Sequence, residues 1–246
     1  MTTRQIASEL RKLTSTRSVY TMLAALLAFV GLGVIATVTD SDLASITRPL
    51  EQQPFLWVPL TIVPLFALLL GLRSFTDEFR HGSIVPTLLA SPNRERVLGA
   101  KLVTTAAGGL AFAAVATTLA FAVGAPLLMA RGVEITWSAS ELTMIVGRLF
   151  GATILWTAIG VGLGLAVRHQ VAAIAGALIW MLAGETILSA FLPRIAPFFP
   201  GSAGSAIVGV NAENLLAPGL AAAVLAGWAV VAALAGGVLI HRRDIT

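Results

Sequence analysis

Six stretches with almost no charge, each as long as a membrane-crossing helix, leave this 246-residue chain few ways to fold. About 20 apolar residues of α-helix cross the hydrocarbon core of a bilayer. Inside lipid, a helix is the simplest segment that satisfies its own backbone hydrogen bonds. The stretches run roughly over 18–39, 54–72, 102–128, 141–167, 171–192 and 219–240. The expected fold is therefore all-α: six transmembrane helices forming a single domain over residues 1–246. With 57% hydrophobic and 11% charged residues, against roughly 25% charged in soluble domains, no sizeable soluble domain fits beside the spans.

Charge fixes the expected orientation. Lys and Arg concentrate on the side of the membrane where a chain stays cytosolic. Twelve fall on one side, among them Arg4, Arg11, Lys12, Arg73, Arg80, Lys101 and Arg243. Three fall on the other: Arg48, Arg131 and Arg194. Both termini are thus expected in the cytosol. The basic residues cluster at span ends and form no single patch, so the +4 net charge is not a nucleic-acid footprint. The absence of cysteine excludes disulfides and thiolate metal sites. The first apolar run is too long for a signal-peptide core.

Residues 1–17 read as an amphipathic interfacial helix, with Ile6, Leu10 and Leu13 on one stripe and Arg4, Arg11 and Lys12 facing away. Pro59 and Pro64 predict a bent second span. Residues 193–218, rich in Pro, Gly and Phe, read as a hairpin dipping into the outer membrane face before the sixth span.

The densest charge lies in residues 73–101, between the second and third spans. Helix pairs need a connection of only about 2–8 residues; this one has 29. Gly82 can end the helix continuing from the second span, and Ser83 can cap a short helix with Pro86 in its first turn. Ile84, Leu88 and Leu89 would form its apolar face, and Ser91-Pro92-Asn93 a turn leading into the helix that carries Lys101. Such an element would expose Asp77, Glu78, Arg80, Arg94 and Arg96 on the cytosolic surface. The other reading is an interfacial helix held by anionic lipid headgroups.

The run Asp77-Glu78-Phe-Arg80-His-Gly82-Ser83, then Leu88-Leu89-Ala-Ser-Pro92-Asn-Arg94, then Lys101 opening a span, resembles the permease subunits of type-2 ATP-binding-cassette transporters. The layout is similar too: an amphipathic N-terminal helix, six spans, cytosolic ends and an outer hairpin before the last span. His81 stands where that family often has a small or acidic residue. The resemblance implies that residues 73–101 are a coupling helix docked on a separate ATPase, with Glu78 the main polar contact and Arg80 and Arg94 in support. It further implies two ATPase copies, a second permease chain (identical or paralogous), and a bacterial plasma membrane. ATP and Mg would be bound by the ATPase, with no cofactor on this chain. The chain carries no Gly-x-x-x-x-Gly-Lys-Ser/Thr stretch of its own. Export of a lipophilic or amphipathic substrate, such as a drug, a peptide or a lipid, is the implied activity.

Two ionisable residues lie inside the expected spans, Arg148 and Glu185. A charge at mid-bilayer costs roughly 2.5–3.5 kcal/mol on insertion scales, so such groups pair or line water. Their matching depths predict an Arg148–Glu185 ion pair, either clipping the fourth and fifth spans together or lining the substrate path. Gly147, Gly151, Gly160 and Gly164 provide small-x-x-x-small spacings for close helix contact. Two other functions compete. An ion-coupled secondary transporter would use Glu185 as its proton carrier, and an intramembrane enzyme would need a catalytic pair within the spans. The three histidines, His81, His169 and His241, instead fall at span ends.

Overall fold

The computed structural model describes residues 3–40, 54–80, 82, 94–133, 138–167, 169–210 and 216–242. Ser83, Leu88, Leu89 and Pro92, with the short surface helix expected there, lie outside the described residues, as does the side chain of Arg94. Every regular element among the described residues is helical. α1 (Thr3–Ser15) is followed after one residue by α2 (Arg17–Asp40), then α3 (Pro54–Arg80), α4 (Arg94–Ala130) and α5 (Ala139–Ala166). α6 (Gln170–Ile179) passes through a π-helical turn (Trp180–Gly184) into α7 (Glu185–Phe191); α8 (Pro200–Val208) and α9 (Pro218–Arg242) complete the chain. Six of these segments are long and apolar enough to cross a membrane: α2, α3, α4, α5, the α6–α7 unit and α9.

α3 and α5 form the centre of the bundle. They carry many of the fully buried side chains, including Val63, Leu72, Leu149 and Val161. The α6–α7 unit and α9 instead present wide apolar faces outward, with Leu182, Ile187, Phe191 and Leu234 exposed. Such faces suit lipid or another apolar surface.

The α3–α5 seam is closed by glycine. A Cβ on Gly160 would lie 2.1 Å from the Leu68 carbonyl oxygen, one on Gly164 2.2 Å from that of Leu72, and one on Gly71 2.2 Å from that of Thr157. The two backbones therefore touch, which only residues without a side chain permit. Gly162 and Gly236 do the same between α5 and α9. Gly147 and Gly151 share the four-residue spacing, yet a Cβ on either would meet nothing within 4 Å. Half of the expected glycine stripe is thus packing, and the other half faces outward.

The expected boundaries shift at the charged end. α3 runs unbroken through Pro59 and Pro64 to Arg80, and α4 already begins at Arg94. Residues 73–80 and 94–101 are therefore extensions of the second and third spans. Gly82 has φ +66°, the left-handed conformation that ends a helix.

Gly160→Ala is expected to overpack the α3–α5 seam, costing at least the roughly 1–3 kcal/mol typical of inserted methyl groups, whereas Gly151→Ala should be neutral. Thermal unfolding of the purified variants in one detergent measures both.

Candidate functional site

Where α1, α3 and α4 meet, four ionisable side chains are bound together. Lys101 on α4 is almost fully buried, at 2% exposure. Its Nζ donates to Glu9 Oε2 at 3.0 Å and to the Ser74 carbonyl at 2.9 Å, and lies 2.9 Å from Glu78 Oε1. It also sits 5.1 Å from the centre of the Phe75 ring, within cation–π range. Lys12 on α1 donates to Glu9 Oε1 at 2.6 Å and to Glu78 Oε1 at 3.0 Å. Two carboxylates and two ammonium groups thus sum to zero charge, with both carboxylates buried. The segments involved are far apart in sequence, 66 residues for Lys12 with Glu78 and 92 for Lys101 with Glu9.

This arrangement corrects three expectations. Glu78 is not exposed at the surface: it is 6% exposed and engaged by both lysines. Lys12 does not face away from the body. Leu10 is exposed, while Leu13 packs against the core and Glu9 occupies the middle of the inward face. The helix is amphipathic as expected, but its inward face is centred on a carboxylate.

Burial alone would raise the Glu9 pKa, yet the charge of Lys101 and the hydrogen bonds from Lys12 and Lys101 outweigh it and hold the carboxyl below its ordinary value of 4.5. Burial would likewise lower Lys12, but its bonds to Glu9 and Glu78 prevail and raise it above its ordinary 10.5. Both shifts favour the charged forms.

A second polar link lies beside the first. Arg73 bonds Asp77 at 3.1 Å, and Gln170, the first residue of α6, donates to the same carboxylate. Arg80, which is exposed, donates to Gln170 Oε1 at 3.0 Å. The charged end of α3 is therefore tied to α1, α4 and α6 together. Gln170 was not singled out in the sequence, and a lone glutamine at a span start carries no signal of such a role.

At the opposite end, the expected Arg148–Glu185 pair does not form. Glu185 Oε2 accepts from the Gly201 amide at 2.8 Å, and Oε1 accepts from the Ser202 amide at 2.6 Å and its hydroxyl at 3.1 Å. The carboxylate thus caps the N-terminus of α8, where free amides and the helix dipole favour an anion. Gly201 lets the carboxylate approach this closely: a Cβ there would lie 2.7 Å from Glu185 Oε2 and push it aside. Arg148 instead reaches toward Gly209, its Nη1 3.8 Å from where a Cβ on that residue would lie. Depth along two helices sets height but not direction around each axis. The π-helical turn that ends at Glu185, whose amide bonds the Trp180 carbonyl, alters that direction. A cavity of about 430 Å³ adjoins this cap, lined by Thr61, Trp156, Glu185, Thr186 and Ser205 among others.

Residues 193–210, where a hairpin is expected, contain a short 3₁₀ turn and α8, which ends at Gly209 with φ +79°. Trp228 of α9 donates to the Phe198 carbonyl at 3.0 Å and fastens this segment to the last span. Among the described residues, no group of His, Cys, Asp and Glu could hold a metal ion. No protein-family model and no curated protein matches the chain.

Removing one partner of a buried charge pair leaves the other uncompensated, at about 3–5 kcal/mol. Lys101→Ala should therefore lower the unfolding midpoint strongly, while Arg11→Ala, on the exposed side of α1, should barely move it. The pH dependence follows from the two shifts. The Glu9 contribution, present at neutral pH, is lost as pH falls through its lowered pKa, below 4.5. The Lys12 contribution is lost as pH rises through its raised pKa, above 10.5. Release of α1, followed by proteolysis near the α1–α2 junction, should be flat between those limits and rise outside them.

Proposed function

We propose that this chain is the permease subunit of an ATP-driven exporter of the type-2 ATP-binding-cassette class, moving a lipophilic or amphipathic substrate outward across a bacterial plasma membrane. It works with two copies of a separate ATPase and a second permease chain, both of its termini in the cytosol. The observation that carries this reading is the cluster of Glu9, Lys12, Glu78 and Lys101. It braces the helix ends from which residues 81–93 leave and to which they return. A push on that connection by a soluble motor would move α1, α3 and α4 together, because their charged ends cannot separate without exposing unpaired buried charges.

In this reading Glu78 is a brace inside the permease, and the contact with the ATPase falls to residues 81–93 and to exposed Arg80. The Asp77-Glu78 pair then has two jobs, one carboxylate tying α3 to α6 through Gln170 and the other tying it to α1 and α4. The α8 segment capped by Glu185 would close the outer end of the path. The ion-coupled alternative, with Glu185 as a proton carrier, has less support, because three donors already hold that carboxylate.

The test uses the complex assembled with a candidate partner ATPase. Glu78→Gln should leave basal ATP turnover in place while lowering substrate-stimulated turnover and transport by about tenfold or more, the effect of roughly 1.4 kcal/mol of lost coupling. Transport by the permease alone, with no ATPase co-purifying, would overturn the proposal.

A further inference from the structure

Little apolar packing holds α6 to the body. Its buried residues are Gln170, Ala173 and Ala177, which share one stripe of the helix, with Ile174 half-buried against the core beside them. This stripe packs on α3 and α5. Two alanine methyls bury little area, so they give the helix a smooth seat and a weak grip. Val171 and Ile179 are exposed on the other side.

The specific grip is the Gln170 amide, which is 8% exposed. Its carbonyl accepts from Arg80 Nη1 at 3.0 Å, and its Nε2 donates to Asp77 Oδ1. Asp77 and Arg80 stand three residues apart on α3, so they offer an anion and a cation side by side. A primary amide carries the matching donor and acceptor on one planar group. Asp77 is also held by Arg73 at 3.1 Å. Arg80 is exposed and within reach of a soluble partner. Once Arg80 is drawn away, the Gln170 carbonyl is left buried without its donor, which is a costly state.

At its other end α6 runs into the π-helical turn Trp180–Gly184, in which no residue is buried. Such turns interrupt the regular hydrogen-bond ladder and often occur at functional sites. Beyond the turn α7 is fastened, because Glu185 holds the Gly201 and Ser202 amides of α8. α6 is therefore an arm of ten residues, about 15 Å long. A polar latch pins one end, and an exposed turn joins the other to a fixed helix. We propose that Gln170 is a positioning residue of the transport cycle. It keeps α6 against α3 while Arg80 is in place, and an acidic group of the docked ATPase, by taking Arg80, frees α6 to swing about the π-helical turn. The trigger rests on the exporter reading; the latch itself needs only α3 and α6.

The chain contains no cysteine, so Ala173→Cys introduces a single thiol on the seated face of α6, and Val171→Cys places one on the exposed face. Labelling by a water-soluble maleimide is timed on the purified full chain. Arg80→Ala and Gln170→Leu should each speed labelling at position 173 about tenfold, the weight of one hydrogen bond to a charged group. The two together should do no more than either alone, and labelling at position 171 should stay constant. Additive acceleration, no acceleration by either change, or an equal change at position 171 overturns the latch. With a candidate partner ATPase and ATP added, labelling at position 173 should again rise about tenfold, but not further in Gln170→Leu. An ATPase that binds and is stimulated by substrate without altering this rate overturns the trigger. A chain that binds no ATPase refutes the exporter reading instead, and the rates on the chain alone still decide the latch.

Discussion

Two carboxylates and the Lys101 ammonium, buried where three helices converge with the half-exposed Lys12 ammonium beside them, set the condition that the rest of the charged end must meet. None of the four can leave alone, because the partners it abandons would stay charged in a poorly solvated place. α1 is a short helix, and isolated helices of that length are marginal in water. It is held by Glu9 and Lys12 reaching across to α3 and α4, with Leu13 packed beneath them. The cluster makes an N-terminal appendage into part of the body. The Asp77–Gln170 link extends the same tie to α6.

Such a junction transmits movement only if the helices attached to it are stiff. The α3–α5 seam supplies that property. Gly71, Gly160 and Gly164 let two backbones meet with no side chain between them, and close-packed interiors carry strain instead of absorbing it. Gly162 and Gly236 join α9 to the same core helix. Under the proposed function, a displacement at the charged end of α3 would be passed along the centre of the bundle toward the α8 segment. There the Glu185 cap and the Trp228–Phe198 bond anchor the opposite face. The exposed apolar faces of α6–α7 and α9 lie outside this rigid line.

Six spans and their approximate limits were legible in the sequence because hydropathy alone specifies them, and so was the helix end at Gly82. The site was only half legible. Lys101 and Glu78 stand out as charges beside long apolar runs, but the sequence places them at a surface, whereas the fold buries them against each other. Glu9 and Lys12 were hidden for a physical reason. An amphipathic helix is read from its apolar stripe, and a charged inward face makes sense only once partners 66 and 92 residues away are known. Arg148 and Glu185 show the converse failure. Equal depth suggested a pair, but Glu185 found its donors on the backbone of α8, and unpaired amides at a helix start leave no mark in the sequence. The stripe of Gly147, Gly151, Gly160 and Gly164 was right in kind, yet spacing could not say that only its second half meets a neighbour.

The central claim is that α1 is fastened to the spans by charge and not by its apolar stripe. A double-mutant cycle on Glu9→Gln and Lys101→Met, read by unfolding free energy in one detergent, tests it most directly. Residues in one buried network show coupling energies of about 0.5–3 kcal/mol, whereas independent sites add to within a few tenths. The account predicts strong coupling, with the double variant more stable than the sum of the two single losses implies. Simple additivity, with α1 still docked in Glu9→Gln, would contradict it.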